Sequence, residues 1–115
     1  MRIISRKALR QFVAKNALAG VSVEWWYRTT RAAKWQTSAD VLRTFPSASV
    51  IDAERVRFKI SGNAFRLVCA IDYVSQTVWI KFLGTHKQYD LLAKSTTATT
   101  IKTVDMFKST SESNE

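Results

Sequence analysis

One cysteine, one proline, three glycines and one histidine are all that 115 residues contain of these types. A single thiol cannot form an internal disulfide, so a reducing cytoplasm is the expected compartment. There is no CxxC and no His pair, so no metal site is indicated. The few glycines build no phosphate-cradling loop, so no nucleotide cofactor is indicated either. No apolar run reaches the ~18 residues of a membrane-spanning helix. The opening "MRIISRKALR" is basic and soon polar, without the apolar stretch and small-residue cleavage site of a secretory signal. Acidic residues are also scarce: nine, against 18 Lys and Arg, for a net charge of +9.

What is present suffices for one domain with a real core, since 46% of the chain is hydrophobic. The charge is uneven. Residues 1–93 hold 15 basic and 6 acidic residues, and 94–115 hold three of each. A compact basic domain favours phosphate-rich or acidic partners.

"RIIS" is short and β-branched and reads as a strand. Ser5 suits the N-cap of a helix over Arg6–Asn16, with Leu9, Phe12 and Val13 on one face. Gly20 is expected to break it. A second helix, roughly Ser22–Trp35, places Val23, Trp26, Tyr27 and Thr30 on one side. The two form a helical hairpin expected to pack on a sheet. "TSADVLRTF" makes a short helix, capped at Ser38 and ended before Pro46, and "PSASVID" reads as a loop. The period then changes from about 3.6 to 2. "RVRFKI" and "FRLVCAIDY" are strands joined by the turn "SGNA", and "QTVWIKFLG" is a third. Thr85 can cap a final helix beginning at His86. The Ser/Thr-rich segment from Lys94 has no periodicity and is expected to be largely flexible, with Val104, Met106 and Phe107 as a candidate docked patch.

Across the turn, Ile60 should meet Phe65, Lys59 should meet Arg66, Phe58 should meet Leu67, and Val56 should meet Cys69. One face of this ribbon is apolar and should lie on the helices. The other carries Arg55, Arg57, Lys59 and Arg66. The parity of Val78, Ile80 and Phe82 adds Lys81 to it. Directly opposed Lys59 and Arg66 cost stability. Two readings stand at this point: a solvated sheet face, or a phosphate-binding surface. Cys69, in "LVCAI", reads as a buried thiol rather than a nucleophile.

His86 sits where strand gives way to helix, where free N–H groups and the helix dipole favour an anion. Tyr89 follows three positions later on the same face. A lone histidine is more often structural than catalytic. Beside a basic sheet face it suits RNA cleavage. RNA carries its own nucleophile, the 2′-OH, so proton transfer and charge stabilisation are enough, without metal. His86 is the proton-transfer candidate. Arg66 and Lys59 are the phosphate stabilisers, and Tyr89 orients or stacks the substrate. Arg55, Arg57, Asn63, Lys81 and Lys87 are candidate RNA contacts. No second histidine and no obvious carboxylate partner accompanies His86, so a partner supplying substrate geometry is expected.

"MRIISRKALRQF", "WQTSADVLRTFPSAS", "RVRFKISGNAFRLV" and "IKFLGTHKQYD" occur in that order. Over residues 1–93 the chain resembles the HigB toxin family of type II toxin–antitoxin systems, within the RelE/ParE superfamily. The resemblance implies an α+β RelE-like domain, with helices packed on a mostly antiparallel twisted sheet and a C-terminal helix. It implies mRNA cleavage in the ribosomal A site and inhibition of translation. It also implies neutralisation by a HigA-type antitoxin, which would carry the pair to operator DNA. The family's Gly-Asn turn falls on Gly62 and Asn63, its strand arginine on Arg66, and its Thr-His-x-x-Tyr-Asp on Thr85, His86, Tyr89 and Asp90. Many relatives have Asn or Asp where this chain has Lys59. Two other readings remain: a ParE-like toxin acting on DNA gyrase without cutting RNA, and a non-catalytic RNA- or ribosome-binding domain.

Overall fold

The computed structural model describes residues 1–107. Strand β1 (Arg2–Ile4) leads into α1 (Arg6–Lys15) and α2 (Gly20–Ala32), joined through a 3-10 turn at Ala17–Ala19. Helix α3 (Ser38–Thr44) precedes β2 (Ser49–Val50), β3 (Arg55–Ile60), β4 (Phe65–Asp72), β5 (Thr77–Thr85) and α4 (His86–Ala93). The strands form one sheet in the order β1-β5-β4-β3-β2. β1 runs parallel to β5, and the other pairings are antiparallel. Among the described residues, no helix is long and apolar enough to cross a membrane.

The helices form where side-chain spacing and caps agree. The Ser5 hydroxyl accepts the Ala8 N–H at 3.4 Å and starts α1. Val23, Trp26, Tyr27 and Thr30 are the buried residues of α2, the side expected from their spacing. Gly20 does not break the helices. It is the first residue of α2, and the chain turns at Asn16, whose Nδ2 donates to the Phe12 carbonyl at 3.1 Å. The α3 cap is Thr37 rather than Ser38. From Thr37, Asp40 is three positions on, and its carboxylate accepts the Gln36 and Thr37 N–H groups at 2.8 and 3.2 Å. The "PSASVID" loop contains a two-residue strand, with Ser49 beside Arg57 and Val50 beside Val56.

The main core lies between α1–α3 and one sheet face. Val56, Phe58, Ile60, Leu67, Cys69, Ile71, Val78, Ile80 and Leu83 come from the strands. Phe58 is its aromatic centre, with Trp26 at 5.4 Å, Phe45 at 5.3 Å and Trp35 at 6.4 Å between ring centroids. The hairpin register is the expected one: Ile60 faces Phe65, Lys59 faces Arg66, Phe58 faces Leu67, and Val56 faces Cys69.

β5 departs from simple alternation. Val68 pairs with Phe82 while its neighbour Cys69 pairs with Ile80, so the ladder shifts at Lys81. The shift moves Phe82 out of the main core and Leu83 into it. Phe82 joins Val68, Tyr89 and Val104 in a second apolar cluster. The second sheet face is therefore not simply solvated.

Candidate active site

Arg57 and Lys59 of β3 share the second face with Arg66 of β4, as their strand parity requires. They differ in burial. Lys59 is exposed, Arg57 half-buried and Arg66 only 4% exposed. Arg66 can be this deep because its Nη1 donates to the carbonyls of Asn63 and Phe65, at 3.2 and 3.1 Å. The β3–β4 turn, with Gly62 at φ +62°, thus holds the guanidinium that lies beside it. Burial, and then repulsion from Arg57, pulls Arg66 below its ordinary value; Asp90 and Tyr89 act the other way. Arg57 donates through Nη2 to the Ser47 carbonyl at 3.0 Å, and its guanidinium carbon lies 6.0 Å from the Tyr89 ring centroid. Its Nε is buried without an acceptor among the described residues.

Helix α4 brings the remaining groups. Its cap is reciprocal: the Thr85 Oγ1 accepts the Gln88 N–H at 3.1 Å, and the Gln88 Oε1 accepts the Thr85 N–H at 2.8 Å. The His86 N–H donates to the Ala64 carbonyl at 3.1 Å. Two of the first three helical N–H groups are therefore taken, and the anion site expected at this helix start is largely closed. Gly84 leaves the room this needs: a Cβ there would lie 2.5 Å from the Gln88 Oε1 and 2.9 Å from the Phe82 Cζ.

One helical turn then separates three roles. His86 is half-exposed, with its Nε2 3.1 Å from the Asp90 Oδ2. Asp90 is the carboxylate partner that sequence reading did not find, although the spacing of four was legible. Tyr89 turns inward, 9% exposed, with its ring 6.3 Å from that of Phe82. Burial pushes its phenol above the usual value, more than Arg57 and Arg66 pull it down. Asp90 acts on both Arg66 and Tyr89. Asp90 thus pairs with His86 and bears electrostatically on the buried Arg66.

Two expected RNA contacts are engaged elsewhere. Arg55 is not on an open surface. It is 9% exposed, and its Nη1 donates to the carbonyls of Ile101 and Val104 at 3.0 and 2.8 Å. Lys81, at the ladder shift, pairs with Asp105 at 3.1 Å. Asn63 and Lys87 are exposed, and Asn63 contributes its carbonyl to Arg66. Cys69 is fully buried, and burial pushes its thiol well above the usual value. Among the described residues no group of three or more His, Cys, Asp or Glu is placed to hold a metal ion.

A family model described as HigB toxin, the RelE-like toxic component of a toxin–antitoxin system, matches residues 19–92, well over half of the chain. The chain belongs to the HigB toxin family. No curated protein matches it. As a HigB-family toxin it has an antitoxin as its partner. The match spans α2 to α4, and so includes Arg57, Arg66, His86, Tyr89 and Asp90. It leaves out β1, α1 and the segment after α4. In this HigB-family chain Ile101 and Val104 of that segment lie against the second sheet face. The Arg55 bonds and the burial of Val104 put them there.

Proposed function

We propose that this HigB-family toxin is a metal-independent endoribonuclease that cuts mRNA presented by the ribosome and so stops translation. The observation that carries the reading is the convergence on one face of Arg57, Arg66, Tyr89 and the His86–Asp90 pair. In this reading His86 is the proton-transfer group, and Asp90 holds its Nε2 so that the other ring nitrogen serves the substrate. The 2′-OH loses its proton to His86 and attacks the adjacent phosphorus. The 5′-oxygen leaves and takes a proton from solvent water, and His86 returns its proton to solvent, so a 2′,3′-cyclic phosphate and a 5′-OH are formed. Arg57 and Arg66 stabilise the charge that builds on the phosphate oxygens. The buried Arg57 Nε–H, without an acceptor among the described residues, suits an anionic ligand. The Tyr89 phenol stays protonated at neutral pH and donates a hydrogen bond. Exposed Lys59 and Lys87 hold the RNA backbone from outside.

The site carries a single histidine, which favours a substrate whose geometry is imposed by another body. The ribosome is that body in this reading, the cytoplasm is the compartment, and a HigA-type protein is the antitoxin. Primer extension on mRNA from briefly induced cells tests it, beside His86→Ala and Asp90→Asn. New cuts within translated frames are expected. His86→Ala should reduce them about 100-fold or more, the scale of a lost general base, and Asp90→Asn less. Growth arrest without cuts would refute the nuclease reading and point to a non-nucleolytic target such as gyrase.

A further inference from the structure

Residues 95–107 lie beyond the family match, yet they are built into the molecule. Their Ser and Thr side chains make local closures. The Thr103 Oγ1 donates to the Ala98 carbonyl at 2.7 Å, and the Thr100 N–H donates to the Thr103 Oγ1 at 2.8 Å. Arg55 clamps the Ile101 and Val104 carbonyls. The Met106 N–H donates to the Lys81 carbonyl at 2.8 Å, and Asp105 pairs with the Lys81 ammonium. Between these anchors Val104 is 5% exposed, in one cluster with Val68, Phe82 and Tyr89.

We propose that this strap is a positioning element of the active site: Val104, fixed by Arg55 and Lys81, braces Phe82 and Tyr89 so that the Tyr89 hydroxyl is held beside Arg57 and Arg66. The inference rests on the proposed nuclease reading for its consequence, though not for its geometry. Tyr89 belongs to α4, a two-turn helix too short to be stable by itself. Its ring is held by what packs against it. Phe82 reaches that place only through the ladder shift at Lys81, and the strap is tied to Lys81 by both its backbone and its side chain. The same residue therefore sets the position of the floor under Tyr89 and anchors the brace beside it. Arg55, spent on two carbonyls of the strap, is a positioning residue and not an RNA contact.

The test is a double-mutant cycle in the full-length protein, Val104→Ala with Tyr89→Phe, read by kcat and KM for cleavage of mRNA on purified ribosomes. Val104→Ala should lower kcat about 10-fold with KM little changed, as expected for a displaced group. In the Tyr89→Phe background it should cost almost nothing more, because the hydroxyl it positions is gone. Equal loss in both backgrounds, or no loss, overturns the proposal. If Val104→Ala does not fold, Asp105→Asn replaces it and should give a smaller effect with the same dependence on Tyr89. Tyrosine labelled with ¹³C at Cζ gives an independent readout. The Tyr89 midpoint, raised by burial, should fall in Val104→Ala while that of Tyr73, raised by its own burial, holds. If the wild-type protein cuts nothing, the nuclease reading fails and the Tyr89 midpoint decides the strap: a fall supports the brace, and an unchanged midpoint overturns it.

Discussion

Gly84→Ala would test how tightly α4 is seated. The new methyl would sit 2.5 Å from the Gln88 Oε1 and 2.9 Å from the Phe82 Cζ. The Gln88 end is flexible and can swing away, but then the Thr85 N–H loses its 2.8 Å partner. Losing that half of the cap costs about 1 kcal/mol. Phe82 cannot move freely, because its ring packs with Tyr89 in the second cluster. Crowding there adds about 1–3 kcal/mol. A total of about 2–4 kcal/mol should lower Tm by roughly 10 °C or more in a domain of this size. Denaturant unfolding followed by tryptophan fluorescence measures it. Gln88→Ala alone should cost about 1 kcal/mol. With Gln88 already shortened, Gly84→Ala meets only Phe82, so the double variant should cost about 1 kcal/mol less than the two single effects together. A Gly84→Ala protein as stable as the wild type, or strictly additive costs, would show that α4 is not seated by these contacts.

Other residues give checks of their own. Arg55→Met removes the donor to two carbonyls and should destabilise the protein by about 3 kcal/mol in urea unfolding; if it weakened RNA binding and left stability unchanged, Arg55 would be a surface contact after all. Burial raises the Tyr89 phenol in the folded protein, so the folded state holds its proton more tightly. That stability is present below the unfolded tyrosine value of about 10 and is lost as pH rises through the folded value. Stability should therefore fall with alkaline pH, and less steeply in Tyr89→Phe. Tyr73 is raised by burial as well and supplies part of the remaining slope. Cys69, buried and held well above its usual value, should react with a thiol reagent only at the rate of unfolding; rapid labelling of the native protein would contradict its place in the core.

The α2 core face and the β3–β4 register were legible because each rests on one clean period. Val23, Trp26, Tyr27 and Thr30 repeat at helical spacing, and "RVRFKI" alternates without exception. "VWIKFLG" does not. Trp79 and Leu83 are as apolar as Val78, Ile80 and Phe82, so no parity is marked and the shift at Lys81 left no sign in the sequence. The site was half legible for the same reason. His86, Tyr89 and Arg66 stand out by residue type. The depth of Arg66 depends on turn carbonyls, and the loss of Arg55 to the interior depends on strap carbonyls. Backbone acceptors look the same for every residue, so neither feature has a side-chain signature. The Ser/Thr content and lack of period after Lys94 predict a largely flexible segment with a docked patch at Val104, Met106 and Phe107. Residues 108–115 of it lie outside the described residues, and within the patch Val104 is buried while Met106 is exposed. In the structure the Ser and Thr hydroxyls close turns, and the anchoring comes from Arg55, more than forty positions earlier.

The parallel pairing of β1 with β5 also bears on how the molecule comes together. Arg2 lies beside Thr77 and Ile4 beside Trp79, so the first strand has no partner until nearly all of the sheet-forming chain has been made. Such distant pairings are slow to form, since the closure entropy must be met before the contacts repay it. A growing chain can build the α1–α2 hairpin early and the β3–β4 ribbon next, but it carries Ile3 and its neighbours as an unpaired edge throughout. The order of assembly thus sets a window in which this basic chain is open to non-native strand pairing. The window closes only when β5 arrives to complete the sheet.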